Sequence, residues 1–317
     1  MNAEGVESET KQEKKHGVME RLLQLLMKSF IVQIVLLVLL PSSIVIAVPL
    51  SDRKYQIKYF GDNPLQELKT RLLKLQKEYP EAVTVTTAKK KYGIDSAGTC
   101  GQMPCEIYII EIGTNSELSG TNTISKSGED GIGIIGVEER DDGDSFETER
   151  VPEVFISGAI HGDERVGPIV AIELAEYMLR GFRDKHTWLH RLVTTRKTVI
   201  VPVANADGWD KNKREELHLD PNRDYPHDQP LDCMLTQATK AINALFIDHS
   251  FITCITFHAG IDLIGYPWGD MKHKRQASSP DNSLFEKGAE ILRLVAGAAG
   301  KFKFCFLIKT LFLVIEC

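Results

Sequence analysis

"AIHGDERVGP", residues 159–168, is the stretch whose reading decides the fold. The run before it, "VPEVFISG", is rich in β-branched and aromatic residues, and the segment after it, "VGPIVAIELAEYMLRGF", has apolar residues at helical spacing. The first pattern predicts a buried strand and the second a helix. His161 and Glu164 therefore stand where a strand ends and a helix begins. Alone, the pair admits two readings. It is either a strand-end histidine with a helix-start acid favoured by the helix dipole, or part of a metal site.

Further along, "ITFHAG" puts His258 at the end of a second buried strand. Open α/β sheets build their sites outside the carboxyl ends of their strands. Two such ends, one giving His161 and Glu164 and the other His258, supply the two imidazoles and one carboxylate that catalytic zinc uses, with a fourth position left open. His186 and His190, four apart on a short helical segment, are read as surface residues and not as ligands. Between the ligand sites lies "NADGWDKNKREELHLDPNRDYP" (205–226), full of turn formers. An arginine fork such as that of Arg223 binds a carboxylate through parallel hydrogen bonds, and Asn222 beside it adds amide donors. Arg214 could hold a developing oxyanion, or it could pair with the acids that follow it, Glu215 and Glu216.

The remainder of the chain frames that site. Helical patterns are predicted over 63–80, 167–181, 232–247 and 283–297, with a short one at "HTWLHRLV". Strands are predicted at "AVTVTTAKKKYG", "CEIYIIEIG", 197–205 and 251–257. This alternation indicates an α/β sheet covered on both faces. "CGQMPC" places Cys100 and Cys105 close enough to bridge in a short loop. The 317 residues are 43% hydrophobic and 26% charged with a net charge of −6, ordinary globular composition with no nucleic-acid footprint. The acidic run 129–149 accounts for the negative balance and reads as a surface insertion within 113–150.

Residues 30–50, "FIVQIVLLVLLPSSIVIAVPL", carry no charge and are long enough to cross a bilayer. Pro41, Ser42 and Ser43 interrupt them, and "VIA" at 45–47 suits a signal peptidase, so a cleaved signal peptide is expected, with Met27 as a conventional start. A retained signal anchor, and so membrane attachment through 30–50, is the alternative. Both readings place the main domain outside the cytosol: a secreted or secretory-pathway protein, or a single-pass membrane protein.

"HGDE", "VPVANADG", "REE", "LDPNRDYP", "ITFHAG" and "YPWG" follow one another. Their order resembles that in the zinc metallocarboxypeptidases of the carboxypeptidase A/B family, over Tyr55 to Lys301. The resemblance implies a mixed twisted sheet with helices on both faces and one Zn2+ per chain. It implies His161, Glu164 and His258 as zinc ligands and Asp220 as the carboxylate supporting His161. It also implies Asn222 and Arg223 as the grip on a substrate's terminal carboxylate and Arg214 as the residue facing the scissile carbonyl. The expected activity is removal of C-terminal residues from peptides or proteins. Hydrolysis of a non-peptide acyl amide and a non-catalytic zinc- or peptide-binding remnant are the alternatives.

The resemblance divides the chain into an N-terminal extension (1–50), a catalytic domain (51–301) and an apolar tail (302–317). The family's tyrosine-bearing flap, pocket floor and general-base glutamate come late in its sequences. Here "FKFCFLIKTLFLVIEC" follows Lys301 and contains no Tyr. Glu316 stands too soon after the last helix to be that glutamate. The expectation is a sheet incomplete at its C-terminus and a chain inactive as written.

Overall fold

The computed structural model describes residues 58–114, 151–226, 233–260, 264–267 and 279–295. The apolar segment 30–50, nearly all of the insertion 113–150 and the tail 302–317 lie outside them. Among the described residues no helix is long and apolar enough to cross a membrane.

Helix α1 (Pro64–Glu78) opens on a proline, which tolerates the first helical turn because its missing N–H has no partner there anyway. Its leucines 65, 68, 72 and 75 recur at helical spacing, and all four are buried. Strand β1 (Val83–Thr87) leads directly into a short helix, α2 (Ala88–Tyr92), where the sequence reading continues the strand. Capping explains the difference. The Thr87 side chain accepts the N–H of Lys90, and Gly93 closes the turn in the left-handed region at φ 72°. A two-residue hairpin, β2 (Thr99–Cys100) with β3 (Met103–Pro104), follows, and a disulfide joins Cys100 to Cys105.

The remaining elements alternate as expected: β4 (Tyr108–Ile112), β5 (Glu153–Gly158), α3 (Val166–Arg183), α4 (Thr187–Thr195), β6 (Lys197–Val201), α5 (Ala206–Lys211), a 3-10 turn (Pro221–Arg223), α6 (Gln237–Asp248), β7 (Phe251–Phe257) and α7 (Asn282–Val295). Strand β6 stops at Val201, short of the predicted 205, because Pro202 has no N–H to continue the ladder.

The sheet is mixed, in the order β1-β4-β6-β5-β7. Strands β1, β4 and β6 are antiparallel in sequence across the sheet, whereas β5 runs parallel to both β6 and β7. Val154 to Gly158 are all buried, which requires cover on both faces of β5. Phe155, Ile109, Ile110, Ile112, Val199 and Ile200 form the centre of the core. Each such side chain contributes about 1.5–3 kcal/mol by leaving water.

Helix α3 is buried on nearly every side, and two of its buried residues are acids. Glu173 and Glu176 are answered by a single guanidinium from α1: Arg71 Nη2 lies 2.6 Å and 2.8 Å from their Oε1 atoms. His186 and His190 are half-buried rather than on the surface. His186 stands at the N-terminal boundary of α4, where its carbonyl accepts the His190 N–H at 2.8 Å, and His190 stacks on Phe182 with ring centroids 5.2 Å apart.

Candidate metal centre

The parallel arrangement of β5 and β7 brings their carboxyl ends to one edge of the sheet, with Gly158 opposite Phe257. Just past that edge the chain bends at Ala159, a non-glycine residue at φ 47°. His161 follows, 3% exposed. The loop can lie this deep because residue 162 is glycine. A Cβ there would fall 2.0 Å from the Gly208 carbonyl carbon, 2.3 Å from Trp209 N and 2.5 Å from Lys213 O.

His161, Glu164 and His258 converge. One potential ligand atom from each lies within 4.8 Å of the others. His161 Nδ1 stands 2.9 Å from Glu164 Oε1, and His258 Nδ1 stands 2.9 Å from Glu164 Oε2. The imidazole centroids are 5.1 Å apart. Both rings therefore present the same nitrogen to one carboxylate whose side chain is only 12% exposed. Two imidazole nitrogens and a carboxylate in a shielded site form the donor set that suits Zn2+, so the residues present fit the ion.

The electrostatics agree with a site built for positive charge. Burial raises the Glu164 carboxyl, yet the two imidazoles bring it down to about 2. Burial opposes a charge on His161, but its bonds to Asp220 and Glu164 outweigh that and hold its pKa above the ordinary histidine value.

Behind His161, Asp220 is the hub of the second layer. Its Oδ1 stands 3.1 Å from His161 Nε2 and accepts the Asn222 N–H at 2.9 Å. Its Oδ2 accepts from Arg214 Nε at 3.1 Å and Nη2 at 2.9 Å. Burial would raise this carboxyl, and His161 and Arg214 instead hold it well below the usual carboxylate range. A carboxylate on the far nitrogen of a metal-binding imidazole fixes its tautomer and strengthens it as a ligand.

Arg214 pairs with Asp220 and not with its neighbours Glu215 and Glu216. Its Nη1 reaches toward the ligands, 4.0 Å from Glu164 Oε1. Arg223 Nη1 donates to the Asn222 carbonyl at 2.8 Å and stands 4.0 Å from Asp220 Oδ2, with its side chain 48% exposed. The structure thus brings all seven of these residues to one edge, with Arg214 and Arg223 both partly open to solvent.

Two residues that the sequence reading gave no role support this arrangement. Asn205 caps α5 through its Oδ1, and its Nδ2 donates to the Arg214 carbonyl at 3.1 Å. Gly162 N donates to the same carbonyl at 3.3 Å. Between Arg214 and Asp220 the backbone pairs Glu216 with Leu219, and the two intervening residues, Leu217 and His218, take φ 46° and 76°. A two-residue turn with both φ values positive ordinarily draws Asn and Gly. For other residues such backbone costs about 1–3 kcal/mol and persists where its surroundings over-determine it.

A model of the family described as zinc carboxypeptidase matches residues 68–299. Carboxypeptidase SOL1 of Arabidopsis thaliana is 33% identical over 153 residues, which cover 46% of this chain and 31% of that protein. The carboxypeptidase N catalytic chain of Homo sapiens is 25% identical over 187 residues, covering 46% of this chain and 41% of its own length. The chain thus spans well under half of these two relatives. Among solved structures, thrombin activatable fibrinolysis inhibitor is similar with a TM-score of 0.50 at 15% identity, over 71% of this chain and 53% of that one. At that identity the likeness concerns the fold alone.

Proposed function

This chain belongs to the zinc carboxypeptidase family, and from that premise we propose that it is a zinc-dependent metallocarboxypeptidase acting on the free C-termini of peptides or proteins. The observation that carries the reading is the convergence of His161, Glu164 and His258 on one strand edge with Asp220, Arg214, Asn222 and Arg223 directly behind. The motif order resembles the A/B branch. Relatives of similar sequence bear N, D and Z names, so the proposal extends to the family's shared reaction and leaves C-terminal residue preference open.

In this reading His161, Glu164 and His258 hold one Zn2+ per chain. When bound, the ion supplies Lewis-acid chemistry, activating water and polarising a carbonyl. Asp220 orients His161. Arg214, fixed by Asp220, turns Nη1 toward the ligands to meet negative charge developing on the carbonyl oxygen. Asn222 and Arg223 bind the terminal carboxylate, which limits attack to the last peptide bond.

Both carboxylates of the site are already engaged, Glu164 by the imidazoles and Asp220 by His161 and Arg214. A proton acceptor for the attacking water must be a further group. Positioned acid–base residues contribute roughly 10²–10⁴-fold. We therefore expect these residues to bind zinc and free C-termini without giving efficient turnover by themselves. Chelator-sensitive release of C-terminal residues by the 317-residue chain would overturn that part.

We propose residues 51–301 as the catalytic domain, lying outside the cytosol behind a signal peptide or anchor at 30–50. The Cys100–Cys105 disulfide supports that compartment. The grip is tested with Arg223→Ala. Binding of a free-acid peptide should weaken by about 10- to 100-fold relative to its C-terminal amide, the loss of a charge-assisted hydrogen bond. An undiminished preference for free acids would place the carboxylate elsewhere.

A further inference from the structure

The segment carrying Arg214, Asp220, Asn222 and Arg223 is tied down at both ends. On the metal side, Gly162 and Asn205 hold the Arg214 carbonyl. On the far side, two buried acids reach a different element. Glu216, 2% exposed, accepts the backbone N–H of Gln237 through Oε1 and that of Ala238 through Oε2. These are the first residues of α6, whose initial N–H groups have no partner within the helix. Asp224, 6% exposed, accepts from Leu235 N at 2.9 Å, Thr236 N at 2.7 Å, Thr236 Oγ1 at 2.8 Å and Thr239 Oγ1 at 2.7 Å.

Neither acid hydrogen-bonds to His161, Glu164 or His258 among the described residues, and neither lies in a strand of the sheet. What they fix is the strained turn at Leu217 and His218, with Arg214 on one arm and Asp220 on the other. Resting on the carboxypeptidase reading, we propose that Glu216 is a positioning residue. It bolts the arginine-bearing turn to the first turn of α6 and so sets where the Arg214 guanidinium stands against the metal ligands. Asp224 does the same for Asn222 and Arg223.

The bolt is sensitive to protons. Burial raises the Glu216 carboxyl, the N–H groups of Gln237 and Ala238 work against that, and the charges of Asp207 on α5 and Asp224 add to it, leaving its pKa at about 7. As pH falls through that value Glu216 takes up a proton and one of its oxygens ceases to accept. The raised pKa also means that protonation relieves a buried charge in the folded protein. Protonation of Glu216 therefore does not itself lower stability in that window. A loss of substrate grip near pH 7 that Glu216→Gln removes, with zinc content and thermal stability kept, is the signature of positioning.

The test uses the zinc-loaded 317-residue protein with Glu216→Ala and Glu216→Gln. Calorimetry measures binding of an acetylated dipeptide with a free C-terminus against its amide from pH 5.5 to 8.5, and hydrogen exchange follows individual amides. Glu216→Ala should lower the free-acid preference about tenfold with zinc content unchanged. It should also speed exchange at Leu219, Gln237 and Ala238 and leave β5 unaffected. Glu216→Gln, which keeps one acceptor, should recover part of the preference and lose its dependence on pH near 7; if the alanine variant does not fold, this one gives both readings. Unchanged preference and unchanged exchange overturn the proposal. A parent protein that does not distinguish acid from amide instead refutes the grip at Arg223. Exchange at the three amides then decides the bolt alone, faster in the variant upholding it and unchanged refuting it.

Discussion

The two ends of the parallel strands carry chemically similar clusters with opposite meanings. At the carboxyl ends, His161 and His258 face Glu164, with Asp220 and Arg214 behind. At the amino ends, Glu153 opens β5, Lys197 opens β6 and His249 precedes β7. Lys91 of α2, Glu111 of β4 and Asp248 of α6 join them. Here too a buried imidazole lies among carboxylates: His249 Nδ1 is 3.2 Å from Glu153 Oε1. Its Nε2, however, is 3.2 Å from the Lys91 ammonium. Lys91 Nζ also lies 2.6 Å from Glu111 and 3.0 Å from Asp248, and Lys197 Nζ lies 2.8 Å from Glu111. The chain's own lysines stand between the acids and complete the cluster. At the carboxyl ends, the hydrogen-bond partners of Glu164 among the described residues are the two imidazoles, and Arg214 comes only to 4.0 Å. Histidines among acids do not make a metal centre. Donors that converge without a built-in cation, as at the carboxyl ends, fit one.

That distinction breaks first on zinc. His161→Ala and His258→Ala should each abolish stoichiometric zinc by elemental analysis, while His249→Ala should retain one ion per chain. Full zinc in both of the first two variants would reduce the carboxyl-end cluster to another strut. The next effect is on stability at the amino ends. Burial raises the Glu111 carboxyl, but Lys197 and Lys91 more than offset this and bring it to about 2 from its ordinary 4.5. A depressed folded pKa gives stability that is complete above pH 4.5 and is lost as pH falls through 2. Roughly 3 kcal/mol is at stake. Urea unfolding at a series of pH values should show an acid slope in the parent that Glu111→Gln makes shallower by about this amount, the other depressed carboxyls, Glu164 and Asp220 among them, keeping their share, with zinc binding unaltered at neutral pH. The smallest effect sharpens the carboxyl-end layer. Asp220→Asn should weaken zinc by about 10- to 100-fold in chelator competition. Unchanged affinity would assign Asp220 to Arg214 alone.

The convergence of His161, Glu164 and His258 was legible because the first two follow one strand pattern and the third another, and rules about strand ends turn that position into geometry. The alternation of strands and helices was legible for the same reason. The amino-end cluster was not, since its partners lie up to 158 positions apart and each reads as an ordinary surface charge. Glu216 and Asp224 were hidden in the same way: within a polar loop they look solvated, and only the start of α6 reveals what they hold. The turn at Leu217 and His218 carries none of the Gly or Asn that announce positive φ. In α2, the β-branched run before "AKKKYG" outweighed the cap at Thr87 and the closing Gly93.

Gly162 has a consequence beyond fitting. At Gly162, the loop carrying His161 abuts the main chain of α5 and of the segment leading to Arg214, with backbone atoms as its nearest neighbours. The spacing from His161 to Arg214 is therefore gauged there by peptide units, as in a machinist's jig, with the Asn205 amide tying α5 to the same arm. A substitution among the exposed side chains nearby leaves that spacing in place, whereas any side chain at residue 162 would have to push the two backbones apart.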